Sequence, residues 1–390
     1  MGLFSRQQSC RPTSETSPCV WSEPAVEHLT FQRLPHSLIL LARPLTYGSM
    51  ARVLVTGGCG YIGSHTLVEL IAAGHEPISI DDNSRSSESI LDGVERATGK
   101  RVRNCRVDLR CTSLTKAVFS ENHDAIAVIH FAAYKTVPES VAKPLLYYDN
   151  NINSLLNVLQ STEECGIPGF IFSSSCAVYG NSRELPVTED TPFGEPECPY
   201  ARTKQMGEHI IRDLSKASKA SFVSLRYFNP VGAHASGEIG EEPYGEPDNL
   251  VPRITRSSIG KLPELLVHGN DYDTRDGTCI RDYVHVSDIA RAHVLAIEYM
   301  RKRVDEGRGT DASDVFNLGS GTGTTVLEAI RAFERATGRK LNYRVGPRRL
   351  GDAAAVFSDN RKAEAILGWR PELGIEEMMR TAWRWEQKGS

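Results

Sequence analysis

Ten residues constrain this chain more than any others: Thr56-Gly57-Gly58-Cys59-Gly60-Tyr61-Ile62-Gly63-Ser64-His65, directly after the apolar run Arg52-Val53-Leu54-Val55. A strand that empties into glycines and continues as a helix opens a βαβ unit. Gly57 and Gly60 permit the tight turn and a close backbone approach, and Gly63 lets the helix lie against the strand. The helix begins with unpaired N–H groups and the positive end of its macrodipole, which attract a phosphate. Tyr61 and Ile62 line the same turn. The helix, expected over 63–73, puts Leu67, Leu70 and Ile71 on one face and stops at Gly74.

The next apolar run, Pro77–Ile80, closes on Asp81, with Asn83 just beyond. An acid there accepts from a ribose 2′-hydroxyl and repels a 2′-phosphate, so the loop is expected to hold NAD rather than NADP. Arg85 pulls the other way. Asp108 and Leu109 follow a further strand and are expected beside the adenine; the alternative for Asp108 is a cap on the turn. A ligand-free glycine turn is the plain alternative for the whole loop, and the flanking strand, helix and acid argue against it.

Ala125–Phe131, Gly169–Ser173 and Ser221–Arg226 read as buried strands, with helical patterns over Tyr147–Cys165 and Ala201–Ala217. The alternation implies an α/β fold: a Rossmann-type doubly wound parallel sheet with a smaller mixed α/β substrate-binding lobe. Gly232–Pro252 is rich in Gly, Pro and acids and reads as loops. Asp282–Val286 reads as a strand, and Val286–Tyr299, Val326–Thr337 and Asp359–Leu367 as helices. The expected division is a nucleotide-binding domain over 50–230 plus 278–315 and a second lobe over 231–277 plus 316–390. Residues 1–49, rich in Ser, Thr and Pro, read as a disordered or targeting extension. Glu15, Glu23 and Glu27 argue against an organelle transit peptide, which stays open beside a dispensable tail and a functional start at Met50.

Charge excludes some partners. A net charge of -4, from 45 basic and 49 acidic residues, gives no field for nucleic acid or an anionic membrane. No apolar run is long enough to cross a bilayer; Leu38–Ala42 stops at Arg43 and Pro44. The nine cysteines form no C-x-x-C pair and no zinc spacing, so no metal is expected and the cytoplasm is the expected compartment.

Tyr200 and Lys204 stand four apart in a predicted helix and share a face. A free tyrosine, with a pKa of about 10, is a poor base at neutral pH. A nearby ammonium and the positive ring of an oxidised nicotinamide both favour the phenolate. Lys204 can also reach the nicotinamide ribose. Ser173-Ser174-Ser175 ends a predicted strand, where open α/β sheets bind ligands, and a hydroxyl there can bridge a substrate hydroxyl to Tyr200. Alone, the Tyr/Lys pair is a solvated helix face and the serines satisfy loose backbone groups.

With these motifs in view, residues from about Met50 to Gln387 resemble the extended short-chain dehydrogenase/reductases, and within them the UDP-glucose 4-epimerase family. The likeness rests on Thr56–His65, His130-Phe131-Ala132-Ala133, Tyr147-Tyr148-Asp149-Asn150-Asn151, Phe172–Gly180 and the Tyr200/Lys204 pair. It continues through Arg226–His234, Gly269-Asn270-Asp271-Tyr272, Arg281–Val286 and Asn317-Leu318-Gly319. The resemblance implies an isomerase that interconverts UDP-glucose and UDP-galactose through a 4-keto sugar, with resident NAD and a homodimer. Tyr200 would be the base, Ser175 the residue that orients the 4-hydroxyl, and Phe131, Ala132, Lys135, Asn150, Ser173 and Tyr227 neighbours of the cofactor.

The same likeness implies a substrate site. Arg281 and Arg349 would clamp the diphosphate, and Asp352 would meet the uridine ribose. Tyr227, Asn229, Asn249 and Leu250 would contact sugar and diphosphate, joined by Lys135. His268 stands where an aromatic often stacks on the uracil, and Leu350 where the family usually has Glu. Val356 replaces the bulky residue that confines members to glucose and galactose, so N-acetylated UDP-sugars are also expected. A 4,6-dehydratase would want an acid where Ser175-Cys176-Ala177 supplies none. A UDP-glucuronate epimerase or decarboxylase would want a further basic residue for the carboxylate. A non-catalytic NAD sensor would have no use for Ser175, Tyr200 and Lys204 together.

Overall fold

The computed structural model describes residues 50–306, 313–349 and 352–388; the extension at 1–49 and Leu350 lie outside them. In chain order, β1 (Arg52–Thr56), α1 (Tyr61–Ala72), β2 (Glu76–Ile80), α2 (Ile90–Thr98), β3 (Asn104–Cys105), α3 (Thr112–Glu121) and β4 (Ala127–His130) come first. Then follow α4 (Val137–Ala142), α5 (Pro144–Tyr148), a π turn (Asp149–Asn153), α6 (Ser154–Cys165), β5 (Gly169–Ser175), α7 (Pro199–Leu214) and β6 (Ser221–Tyr227). Next are β7 (Asn229–Val231), α8 (Leu250–Ser258), β8 (Leu265–His268), β9 (Ile280–His285) and α9 (Val286–Asp305). The chain closes with β10 (Ser313–Leu318), β11 (Gly323–Thr325), α10 (Val326–Thr337), β12 (Tyr343–Gly346), β13 (Ala355–Val356), α11 (Arg361–Leu367) and α12 (Ile375–Lys388).

Seven parallel strands form one sheet in the order β10-β6-β5-β4-β1-β2-β3. Successive side chains of a strand point to opposite faces, and both faces are filled. Val53 and Val55, Ala127 and Ile129, Ile171, Val223 and Leu225 join α1 and α9 in one core. Leu54, Val128, Phe170, Phe172 and Phe222 join α3, α6 and α7 in the other. This double burial is why the strands read as unbroken apolar runs. The strand order reverses between β1 and β4, so their C-terminal ends frame the crevice where such sheets take a ligand.

Smaller sheets complete the expected architecture. β9 carries β11 antiparallel and β7 and β13 parallel, and β8 pairs with β12. A third core, with Val251, Ile254, Val267, Ile330, Phe333, Met379 and Trp383, lies among α8, α10 and α12. The expected boundary after residue 315 falls inside β10, and β9, expected with the nucleotide domain, pairs in a small sheet. The helix expected over 147–165 is instead α5, the π turn and α6. The strand expected at Asp282 begins two residues earlier, and the loop expected through Pro252 ends where α8 starts at Leu250.

Candidate active site

Gly57 takes a positive φ of 72°. Its N–H donates to the Ile80 carbonyl at 2.8 Å, and the Gly60 N–H donates back to the Gly57 carbonyl at 3.0 Å. A Cβ on Gly63 would sit 2.2 Å from the Gly57 oxygen, so only glycine lets α1 close on the turn. At the start of α1 no side chain caps the helix and the first turn holds no acid, which leaves its N–H groups for an anion. Ile62 packs on the core, and the Tyr61 hydroxyl donates to the Gly232 carbonyl at 2.6 Å, across to the second lobe.

The Asp81 carboxylate, at the end of β2, is held by three donors. The Cys59 N–H reaches one oxygen at 3.1 Å; the Asn83 N–H and the Ser86 hydroxyl reach the other, each at 2.9 Å. Asn83 adopts φ 59° to make this turn. Arg85 is already engaged within the protein. It pairs with Glu139 and lies 3.7 Å over the Tyr134 ring, which removes its pull toward NADP. Asp108 is occupied as a turn cap and ion-pair partner. It accepts from the Arg110 N–H at 2.9 Å and pairs with that guanidinium at 2.8 Å, which holds its carboxyl below the usual range. Leu109 is buried in the core beside it.

Phe131 and Ala132 follow β4 and face the loop: a Cβ on Gly57 would come 2.8 Å from the Ala132 nitrogen. Asn150 donates to Asn151 at 3.0 Å, and Asn151 ties the loop after β4 to α7 through Tyr134 and Thr203. Lys135 is exposed and reaches Glu241 at 3.4 Å.

Ser173, Ser175, Tyr200 and Lys204 converge at the end of β5. The buried Lys204 ammonium donates to the Ser173 carbonyl at 2.6 Å and lies 5.8 Å from the centroid of the Tyr200 ring. The Ser175 oxygen accepts from the Ala177 N–H at 3.2 Å, and its hydrogen bond with the Tyr200 phenol favours the phenolate. Burial outweighs that bond and holds the phenol well above its ordinary value. Burial also lowers Lys204 to about 7, against the pull of the Glu208 carboxylate. Among the protein's own groups the phenol thus stays protonated.

Beneath these residues lies a charged network missing from the sequence reading. Arg226, in an otherwise apolar strand, clamps Glu208 with bonds of 2.9 and 2.7 Å, and both side chains are buried. Ser174 also donates to Glu208. The guanidinium reaches the Tyr179 oxygen at 2.7 Å, and Tyr179 donates to Asn317 at 2.6 Å. The available signals were an arginine inside a buried strand and a glutamate one helical turn after Lys204. Tyr227 is buried, and its hydroxyl meets His293 Nε2 at 2.6 Å. His293 Nδ1 lies 2.9 Å from the Ile289 carbonyl, so Nδ1 carries the proton and Tyr227 is the donor. That hydroxyl is therefore committed inside the protein.

On the second lobe, Arg281 and Asp352 meet at 3.2 Å, and Arg281 also donates to the Ala353 carbonyl at 2.8 Å. Arg349 is exposed just before them. Val356 pairs in register with Arg281 and packs beside Val178, Phe228 and Cys176. Burial pushes the Cys176 thiol up to about 12, with Ser175 and Arg281 both close enough to oppose it. Asn229 opens β7 and His268 ends β8, both half-buried. Asn249 precedes Leu250 at the start of α8 and donates to Glu241 at 3.1 Å. Glu241 is a further residue that sequence reasoning missed. Among the described residues no group of three or more potential ligands could hold a metal. No described helix is long and apolar enough to cross a membrane.

The model of the NAD dependent epimerase/dehydratase family matches residues 53–319. The chain belongs to this family. It is 48% identical over 335 residues to the UDP-glucose 4-epimerase of Bacillus subtilis, covering 86% of this chain and 96% of that protein. Among epimerase family structures, the UDP-glucose 4-epimerase of Bifidobacterium longum in complex with NAD+ and UDP superposes with a TM-score of 0.81 at 46% identity, covering 86% of this chain and 98% of that one. That of Stenotrophomonas maltophila, with bound NAD and formylated UDP-arabinopyranose, gives 0.83 at 42%, covering 87% and 98%.

Proposed function

We propose that this epimerase family member is an NAD-dependent UDP-sugar 4-epimerase that interconverts UDP-glucose and UDP-galactose. The observation that carries this is the meeting of Ser175, Tyr200 and Lys204 at the end of β5, at the mouth of a dinucleotide loop. The loop glycines, the uncapped α1 and Asp81 fit the pyrophosphate and ribose of NAD. NAD supplies a hydride acceptor for C4 of the sugar and the donor for its return. Ser175 orients the 4-hydroxyl and Tyr200 removes its proton. Lys204, anchored on Ser173, adds positive charge on the same face. After the 4-keto sugar turns about its link to the diphosphate, Tyr200 returns the proton and the C4 configuration is inverted.

Arg281, Arg349, Asn229, Asn249 and Leu250 are assigned to the sugar and diphosphate, and Asp352 and His268 to the uridine. Their support is the pairing of Arg281 on β9 with Asp352, in the loop before β13, and with Val356 in register on β13. The small Val356 leaves room for an N-acetyl group, so UDP-GlcNAc and UDP-GalNAc are assigned as further substrates. The nucleotide domain is assigned to 50–230 plus 278–315 and the UDP-sugar lobe to 231–277 plus 316–390, with β10 kept whole in the first and β9 moved to the second. A homodimer fits the exposed apolar side chains of α4 to α6: Val141 at 61%, Leu145 at 80% and Leu156 at 45%. The unpaired cysteines of the described residues fit a cytoplasmic enzyme, and UDP-galactose as substrate fits galactose metabolism.

Product analysis after incubation with UDP-galactose, and separately with UDP-GalNAc, without added NAD, tests the reading. Conversion of both supports resident NAD and the open pocket. UDP-galactose turnover alone discards the pocket, and no turnover of either, even with NAD added, discards the epimerase.

A further inference from the structure

We propose that Glu241 is a positioning residue for the substrate: its carboxylate holds Asn249 and Lys135 together where the two lobes meet. The inference rests on the epimerase reading, which assigns Asn249 to the sugar and diphosphate.

Glu241 sits in the segment between β7 and α8, and its side chain is only 11% exposed. One carboxylate oxygen accepts from Asn249 Nδ2 at 3.1 Å and from Lys135 Nζ at 3.4 Å. Its backbone is fixed from behind. The Trp385 indole N–H donates to the Glu241 carbonyl at 3.0 Å, and a Cβ on the preceding Gly240 would lie 2.3 Å from the same ring. Burial holds the Tyr61 phenol high, and the Glu241 charge adds to it. A carboxylate pinned by α12 thus faces one residue from the glycine loop, one from the end of β4 and one from the start of α8.

Asn249 shows what the contact does. It occupies the N-cap of α8, with φ −76° and ψ 148°. An asparagine there ordinarily accepts from an N–H of its own first turn. Asn249 makes no such bond; its amide is turned to Glu241 instead. The side chain is kept off its own helix end. Lys135, 59% exposed on a flexible stem, gains its fixed direction from the same oxygen.

The two roles a buried glutamate could have predict opposite signs. If Glu241 positions Asn249, Glu241→Ala lets that amide fall back onto α8 as a cap, so thermal stability is unchanged or higher while UDP binds about tenfold more weakly by calorimetry. Bound NAD stays, and kcat stays within about twofold while KM rises. Glu241→Gln keeps a carbonyl oxygen for Asn249 and recovers most of the affinity. Unchanged UDP affinity in Glu241→Ala overturns the proposal. So does a loss of affinity that comes with a lower Tm and an equal loss of kcat, or a Gln variant no better than Ala. Failure of the unaltered protein to bind UDP overturns the epimerase reading itself.

Discussion

The Tyr200 phenol, proposed as the base, is kept protonated by its own surroundings. Burial raises the phenol, and the Ser175 bond only partly opposes this, so the group becomes useful when positive charge arrives beside it. Tyr200→Phe keeps the ring and removes the proton acceptor. We expect turnover to fall by at least about 10²-fold while NAD copurifies at the unaltered ratio; activity within tenfold of the parent, assayed on UDP-galactose, would remove Tyr200 from the mechanism. Val356→Tyr should end UDP-GalNAc conversion and spare UDP-galactose, read by product analysis; equal effects on both would place the N-acetyl group elsewhere. Residues that act through near neighbours in sequence were legible, as with Tyr200 and Lys204 or Ser173 to Ser175. Glu241 and His293 were not, because Lys135 meets Glu241 across 106 positions and Tyr227 meets His293 across 66. No spacing rule reaches that far.

At the level of elements, legibility followed burial on two faces. β1, β2, β4, β5 and β6 stood out as apolar runs because helices cover both sides of the sheet. β3 has two residues and β8 and β12 four each, too short for a period to show. α12 escaped notice because Glu376, Glu377, Arg380 and Arg384 interrupt it, although Met378, Met379, Ala382 and Trp383 form its buried stripe. Between α5 and α6 the periodicity slips through a π turn at Asp149–Asn153, where Asn151 leaves the helix pattern to tie the loop after β4 to α7. The Arg226–Glu208 pair joins β6 to α7 under Lys204. Arg226→Met leaves a carboxylate buried and unpaired, and should cost about 3–5 kcal/mol by denaturant unfolding. The double variant Arg226→Met with Glu208→Gln should recover most of it; a single variant of parental stability would show the pair carries no structural charge.

Across the whole molecule, burial holds histidines neutral far below their ordinary pKa. His65 and His130 are lowered to about 3, His285 and His293 to about 4, in α1, β4, β9 and α9. The unfolded chain takes up these protons from about pH 6.5 downward, and the folded protein refuses them until about 3–4. Stability present above pH 6.5 is thus lost as pH falls, by about 1.4 kcal/mol per unit for each group once the unfolded histidines are charged. Three carboxyls raised by burial, Glu69, Asp81 and Asp288, have the opposite sign, but six histidines are lowered, since burial also lowers His75 and His234. Thermal unfolding followed from pH 7 to 4.5 should show a steep fall in Tm below pH 6; a flat profile would mean these rings are hydrated or charged in the folded state. In the proposed mechanism hydride leaves C4 and returns to the same sugar without exchange with solvent. UDP-galactose deuterated at C4, incubated in ordinary water, tests this most directly. We predict UDP-glucose that keeps its deuterium at C4, and loss of the label to solvent would contradict the account.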